Sequence, residues 1–103
     1  SRSITMYPGK IKQVVFTVYE NREYFLSLCA DKKVKNLQMR IRETNENQDI
    51  LYDNAAYEFD GTLSMTIQAT KKLMVEIILP PEAVPSKRRQ TMCVGLLVEY
   101  KKL

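Results

Sequence analysis

The stretch Leu73-Met74-Val75-Glu76-Ile77-Ile78-Leu79-Pro80-Pro81 is the most continuously apolar run of the chain, and it ends at two prolines. Its length and its β-branched content favour a strand covered on most of both sides, because a buried helix of this composition would run longer. A strand of this kind needs two sheets that share one core. We therefore predict that it forms the central strand of a β-sandwich.

The segments on either side of this stretch alternate in polarity, as half-buried strands do. Residues 24–30, 34–43 and 91–100 place apolar side chains at every second position, and Asp60-Gly61 is a pair that supplies positive φ in a tight turn. Residues 1–9 are expected to be a short edge strand or a loose lead-in. With about seven or eight strands and no helical period, the chain is predicted to be a single all-β domain, an antiparallel β-sandwich or jelly roll.

The inward faces of these strands define one predicted core. Its members are Leu26, Leu28, Leu37, Met39, Ile41, Ile67, Val75, Ile77 and Val94. Three tyrosines also fall on predicted core faces, namely Tyr24, Tyr57 and Tyr100. The other three are expected to be exposed: Tyr7, Tyr19 and Tyr52. Cys29 and Cys93 each lie on the face of their strand opposite its main apolar side chains, so a disulfide across the core is not expected and free thiols are predicted. Two cysteines that are direct neighbours in one sheet could still form a disulfide.

The composition argues against most enzyme classes. The chain of 103 residues contains no histidine, which disfavours serine or cysteine nucleophiles and catalytic zinc. Twelve acidic residues leave paired carboxylates open, but a small sandwich offers them no obvious cleft. We therefore predict no enzyme, no catalytic residues and no cofactor. No apolar run approaches the roughly 20 residues of a membrane span, and the short basic run 87–89 does not indicate nucleic-acid binding.

The residue types raise two further kinds of ligand, a calcium ion and a carbohydrate. Asn45, Asn47, Asp49, Asp53 and Asn54 could offer oxygen ligands to calcium, but their spacing matches no defined calcium loop and turn formation explains them, so no metal is predicted. Exposed tyrosines could stack on sugars. Because tryptophan is absent, carbohydrate binding is kept as the alternative to a protein partner.

The order of short motifs along the chain resembles a group of small exported β-sandwich proteins of unknown function from Bacteroidetes, which look in turn like the bacterial pre-peptidase C-terminal domain. The motifs lie at residues 24–28, 36–43, 53–54, 70–77, 93–97 and 100–102. The resemblance implies a sandwich fold and export, and it offers no known catalytic residues. A periplasmic, cell-surface or secreted location is therefore expected, with Ser1 starting a mature or trimmed form.

The predicted function is a non-catalytic, exported interaction module that binds a protein partner at the cell envelope. Its contact surface is predicted on the segment from Pro80 to Gln90, which is long, stiffened by proline and charged. The partner-binding residues predicted there are Glu82, Lys87, Arg88 and Arg89. The loop at residues 44–49 is the second candidate.

Overall fold

The computed structural model describes residues 2–81 and 92–103, which form eight strands and one short 3-10 helix. The strands are β1 Arg2–Met6, β2 Ile11–Val18, β3 Arg22–Ala30, β4 Gln38–Glu43, β5 Ile50–Asp53, β6 Thr62–Ile67, β7 Lys71–Ile78 and β8 Met92–Lys102, and the helix is Asn54–Tyr57. The predicted all-β class is confirmed. Within the described ranges, no helix is long and apolar enough to cross a membrane.

The strands form two four-stranded sheets in which every neighbouring pair is antiparallel. The first sheet has the order β1-β8-β3-β6 and the second has the order β2-β7-β4-β5. β7 lies between β2 and β4, so both of its edges are hydrogen-bonded. The apolar run is therefore an interior strand, as predicted.

The two sheets enclose one core, and nearly all of its predicted members are buried in it. Leu37 differs, because it is half-buried and packs against the core from the loop before β4. β4 begins at Gln38 and not at Val34. Residues such as Met6, Val18, Leu73 and Leu79 extend the core beyond the predicted set.

The burial predicted for three tyrosines and the turn predicted at Asp60-Gly61 are wrong. Tyr57 belongs to the 3-10 helix and is 61% exposed, and Tyr100 is 54% exposed although it lies on the predicted inward face of β8. Tyr52, expected to be exposed, is half-buried against the core. The positive φ angles after the helix occur at Glu58 and Phe59. Gly61 is instead required for close packing. A Cβ atom there would lie 2.6 Å from the Leu28 carbonyl oxygen, so no side chain fits at this position.

Cys29 and Cys93 are both free and exposed on the outer face of the first sheet. Cys29 lies directly opposite Gly95, so Cys93 is its diagonal neighbour on β8. Diagonal positions lie about 7–8 Å apart, beyond the roughly 4.4–6.8 Å between Cα atoms that a disulfide requires.

We expect a thiol reagent to titrate two thiols in the native protein without reductant, because both side chains are exposed. The measurement is a spectrophotometric titration with and without denaturant. A native count of zero that becomes two only after reduction would contradict this geometry.

Candidate functional site

A groove of about 330 Å³ opens along one side of the sandwich, between β2 of the second sheet and β8 of the first. β2 contributes Val14 and Phe16, and β8 contributes Val98 and Tyr100. Tyr24 of β3 lies at its floor, where its ring is buried. The groove is therefore built by strands that the core holds in place.

The groove lies along the half of β8 beyond its described pairing with β1. β1 covers β8 from Met92 to Leu96, where its register with β8 ends at Arg2. Beyond Leu96, no strand of the described residues lies on that side of β8. The inward side chains Phe16 and Val98 are half-buried there.

Arg22 lies at the upper end of the groove between two aromatic rings. Its guanidinium carbon is 4.8 Å from the ring centroid of Tyr19 and 4.5 Å from that of Tyr100. The Tyr24 ring is 5.8 Å from the Tyr100 ring, and the Tyr24 hydroxyl accepts a hydrogen bond of 2.9 Å from the Tyr19 backbone N–H. Cation–π stacking of this kind restricts the guanidinium to one position.

Two basic side chains lie together at this end of the groove. Arg22 lies directly opposite Lys102 in the β3–β8 register, so the two basic side chains share one face. Among the described residues neither forms an ion pair, whereas Glu23 and Lys101, the next pair along the ladder, approach to 3.7 Å. Like charges directly opposite each other destabilise a sheet. This arrangement therefore favours a negatively charged partner.

The four residues predicted to bind a partner lie outside the described residues. They are Glu82, Lys87, Arg88 and Arg89. The second candidate, the loop at 44–49, uses its polar groups internally. There Asn45 donates to the carboxylates of Glu43 and Asp49, and the Gln48 carbonyl accepts from Arg42.

The Asx-rich segment also directs its side chains to the protein itself. The Asp53 carboxylate accepts hydrogen bonds from the Gln38 side chain and the Ala55 N–H, and Asn54 is completely buried. Across residues 2–81 and 92–103, no group of three or more cysteine, aspartate or glutamate residues is placed to hold a metal ion. The segment thus acts as a structural turn.

Glu76 is the one buried carboxylate on the described strands, and it lies on the outer face of β7. Arg42 Nε donates to it over 2.5 Å, Gln13 Nε2 donates over 3.1 Å, and Arg40 Nε lies 3.5 Å away. Burial raises the pKa of the Glu76 carboxyl, but these hydrogen bonds and the two arginine charges outweigh burial and lower its pKa below the ordinary value. A carboxylate held ionised in this way is suited to a structural role and not to proton transfer.

Replacing Glu76 with glutamine is expected to lower the free energy of unfolding by about 1 to 2 kcal/mol at pH 7, because it weakens charged hydrogen bonds. The folded pKa is lower than the unfolded pKa, so the unfolded chain takes up the proton first as pH falls. The advantage of wild type over Glu76→Gln should therefore be complete above the ordinary pKa, near 4.5, and decline below it.

Urea titrations of both proteins at several pH values between about 3 and 7 measure this difference. Glu43→Gln is the matched control, since Glu43 pairs with Lys71 at 3.2 Å where both side chains are more exposed. It should change stability by less than about 1 kcal/mol. A Glu76→Gln difference that is the same at every pH would contradict the charge assignment.

A second aromatic pair lies away from the groove. The rings of Tyr52 and Tyr57 stack with centroids 5.4 Å apart and an interplanar angle of 13°. One face of Tyr57 is therefore covered, while the residue as a whole remains largely exposed. This pair is the feature that bears on the carbohydrate alternative.

Sequence reasoning missed the residues that form the groove's charged end. The polar run Glu20-Asn21-Arg22-Glu23 predicts a turn, but β3 begins at Arg22. Its position opposite Lys102 depends on strand register, which a single sequence does not display. The clue that was available is the basic Tyr100-Lys101-Lys102 ending of an otherwise apolar strand.

No protein-family model matches the chain, and no curated protein matches it in sequence. Its structure is similar to the crystal structure of Aeromonas hydrophila PliG, a periplasmic lysozyme inhibitor of g-type lysozyme. The TM-score is 0.69 at 10% sequence identity, and the alignment covers 97% of this chain and 83% of that one. At this identity the similarity shows a shared fold.

Proposed function

We propose that this chain is a non-catalytic module of the cell envelope that binds a protein partner through the groove between β2 and β8. The observation on which this rests is the combination of exposed apolar surface with two basic side chains, on strands held by the core, that form no ion pair within residues 2–81 and 92–103. Tyrosine and arginine are the residues most enriched at energetically important contacts between proteins. Both line this groove, where Tyr19 is 47% exposed and Tyr100 is 54% exposed.

A non-catalytic role is supported by the chemistry of the chain. Histidine is absent from the sequence, and Glu76 is neutralised by arginines on the outer face of the second sheet. The PliG structure, which shares the fold, belongs to an inhibitor that acts on another protein. A location in the periplasm, at the cell surface or outside the cell is supported by the description of PliG as periplasmic and by the resemblance to exported Bacteroidetes proteins.

The alternative function is carbohydrate binding, and the Tyr52–Tyr57 pair is the observation that favours it. Sugar rings stack on exposed aromatic faces, and Tyr57 presents one such face. In the groove, by contrast, the Arg22 guanidinium already occupies the space between the rings of Tyr19 and Tyr100. The two functions therefore depend on different tyrosines.

This separation gives a matched pair of variants, Tyr100→Ser and Tyr57→Ser, which remove similar side chains of similar exposure. Immobilised protein would be exposed to envelope extract, to a purified g-type lysozyme and to a glycan array. Protein capture that Tyr100→Ser loses and Tyr57→Ser retains is the result we expect. Glycan binding that Tyr57→Ser abolishes, without protein capture, would replace the proposal by the alternative.

A further inference from the structure

The two cysteines of the chain lie close together on the outer face of the first sheet, on neighbouring strands. Cys29 of β3 is paired with Gly95 of β8. Cys93 is two residues from Gly95 on the same strand, so both cysteine side chains leave the sheet on the same side. Both are exposed. The fold thus brings together two thiols that are far apart in the sequence.

Gly95 leaves the surface between the two cysteines without a side chain. The Cys29 sulfur extends across to β8 and lies over this glycine, since a Cβ atom at Gly95 would be 2.9 Å from Cys29 Sγ. Val94, which follows Cys93 along the strand, is buried in the core and points to the other face. No side chain of β8 therefore separates the Cys29 sulfur from Cys93.

The spacing of the two cysteines suits a shared metal ion better than a disulfide. Diagonal neighbours lie too far apart for a direct sulfur–sulfur bond. An ion bound by two thiolates, with bonds near the roughly 2.3 Å of a zinc thiolate, joins sulfurs up to about 4.6 Å apart. Each sulfur extends one bond beyond its Cβ atom, so two diagonal side chains turned toward each other can hold one ion between them.

The ligand set determines which ion fits. Thiolates are soft ligands, and soft ligands favour Cu(I). Cu(I) is stable with two ligands in a line, whereas zinc takes four. Over residues 2–81 and 92–103, no third cysteine, aspartate or glutamate joins the pair in a metal-binding group, and the sequence contains no histidine. The pair is therefore complete for Cu(I) and incomplete for zinc.

We propose that Cys29 and Cys93 together bind one Cu(I) ion on the outer face of the first sheet. Each thiol releases its proton to solvent as its sulfur binds the ion, and no electron is transferred. Two thiolates and one monovalent cation leave the site with a single negative charge. The fold does not depend on this ion, because both thiols lie outside the core. Neither cysteine lines the groove, so the inference does not rest on the proposed function.

The probe is Cu(I) itself, supplied without oxygen to the reduced whole chain in competition with a chromogenic Cu(I) chelator. We expect one ion per chain and two sulfur neighbours of copper in X-ray absorption. One equivalent of Cu(I) should remove both thiols from the native thiol titration. Zn(II) at the same concentration should leave both thiols reactive, because two ligands do not complete its coordination.

Single variants and a matched control test the pairing of the two positions. Cys29→Ser and Cys93→Ser should each weaken Cu(I) binding about a hundredfold or more, because the second thiolate is lost. The control combines Cys93→Ser with Glu99→Cys. Glu99 is exposed on the same face of β8, so this variant keeps two exposed thiols but places one of them four residues from Gly95, about 13 Å along the strand. It should bind Cu(I) as weakly as the single variants.

All of these substitutions are at exposed positions, and amide spectra of each variant should show an unchanged fold. Equal Cu(I) binding by wild type and the control would overturn the proposal, because the number of thiols and not their spacing would then decide. Equal binding by wild type and either single variant would also overturn it. So would copper found only in dimers by native mass spectrometry, since the two sulfurs would then come from different chains. One ion per monomer, lost in all three variants, is the result that supports the site.

Discussion

Replacing Ile77 with alanine is expected to lower the free energy of unfolding by about 2 to 5 kcal/mol, because it removes methyl groups from a fully packed site and leaves a cavity. The Ile77 side chain has no exposed surface. Ile77 lies opposite Lys12 of β2 and Met39 of β4, so β7 has a neighbouring strand on each side at this residue. The backbone around the cavity is therefore held by two neighbouring strands and has little freedom to collapse into it.

Urea denaturation of the two proteins measures this loss as a lower midpoint with an unchanged slope. Ile50→Ala is the matched control, since Ile50 lies in β5 with half of its surface exposed. It should change stability by no more than about 0.5 kcal/mol. An Ile77→Ala midpoint equal to that of wild type would show that residues 73–79 are not at the centre of the core.

The position of β7 could be predicted because its sequence is apolar on both faces. The inward residues Val75 and Ile77 fill the core, and the outward face is closed over Glu76 by side chains of β2 and β4. An exposed strand would not tolerate so continuous an apolar run. The number of strands and the core face of β3 follow from the same patterns, since period-two alternation assigns each side chain to one side of a sheet.

The exposure of a side chain was harder to predict than the face of the strand on which it lies. Tyr100 lies on the inward face of β8, in phase with the buried Val94 and Leu96. It is nevertheless exposed, because burial also requires a neighbouring element that covers it, and in the described part of the chain the pairing of β8 with β1 reaches only to Leu96. Alternation identifies a face, but strand lengths and register decide where that face is covered.

The candidate site could not be predicted for the same reason, because alternation does not show where a strand face is left uncovered. Its apolar wall comes from inward residues such as Phe16 and Val98, which alone would be read as core. Its charged end comes from Arg22 and Lys102, which only the antiparallel pairing of β3 with β8 brings together. The sequence instead drew attention to the charged segment at residues 80–90, where charge and proline lie close together along the chain.

Replacing Asn54 with alanine is also expected to lower the free energy of unfolding by about 2 to 5 kcal/mol, because it leaves a buried N–H and two partly buried carbonyl groups without their partner. The Asn54 side chain accepts a hydrogen bond of 2.8 Å from the Met39 N–H. It donates to the carbonyls of Leu37 and Asp60, each over 3.1 Å. One amide thus joins the start of β4 to both ends of the turn that follows β5.

Asn45→Ala is the control for this variant, since the Asn45 amide is exposed and bonds to exposed carboxylates, and its loss should cost less than about 0.5 kcal/mol. Thermal and urea unfolding measure both variants, and hydrogen exchange at the Met39 amide reports the specific bond. If Asn54→Ala matched Asn45→Ala and the Met39 amide stayed protected, another group would have to satisfy that N–H. A large loss confined to Asn54 would instead show that a side chain resembling a calcium ligand in the sequence joins the start of β4 to the turn that follows β5.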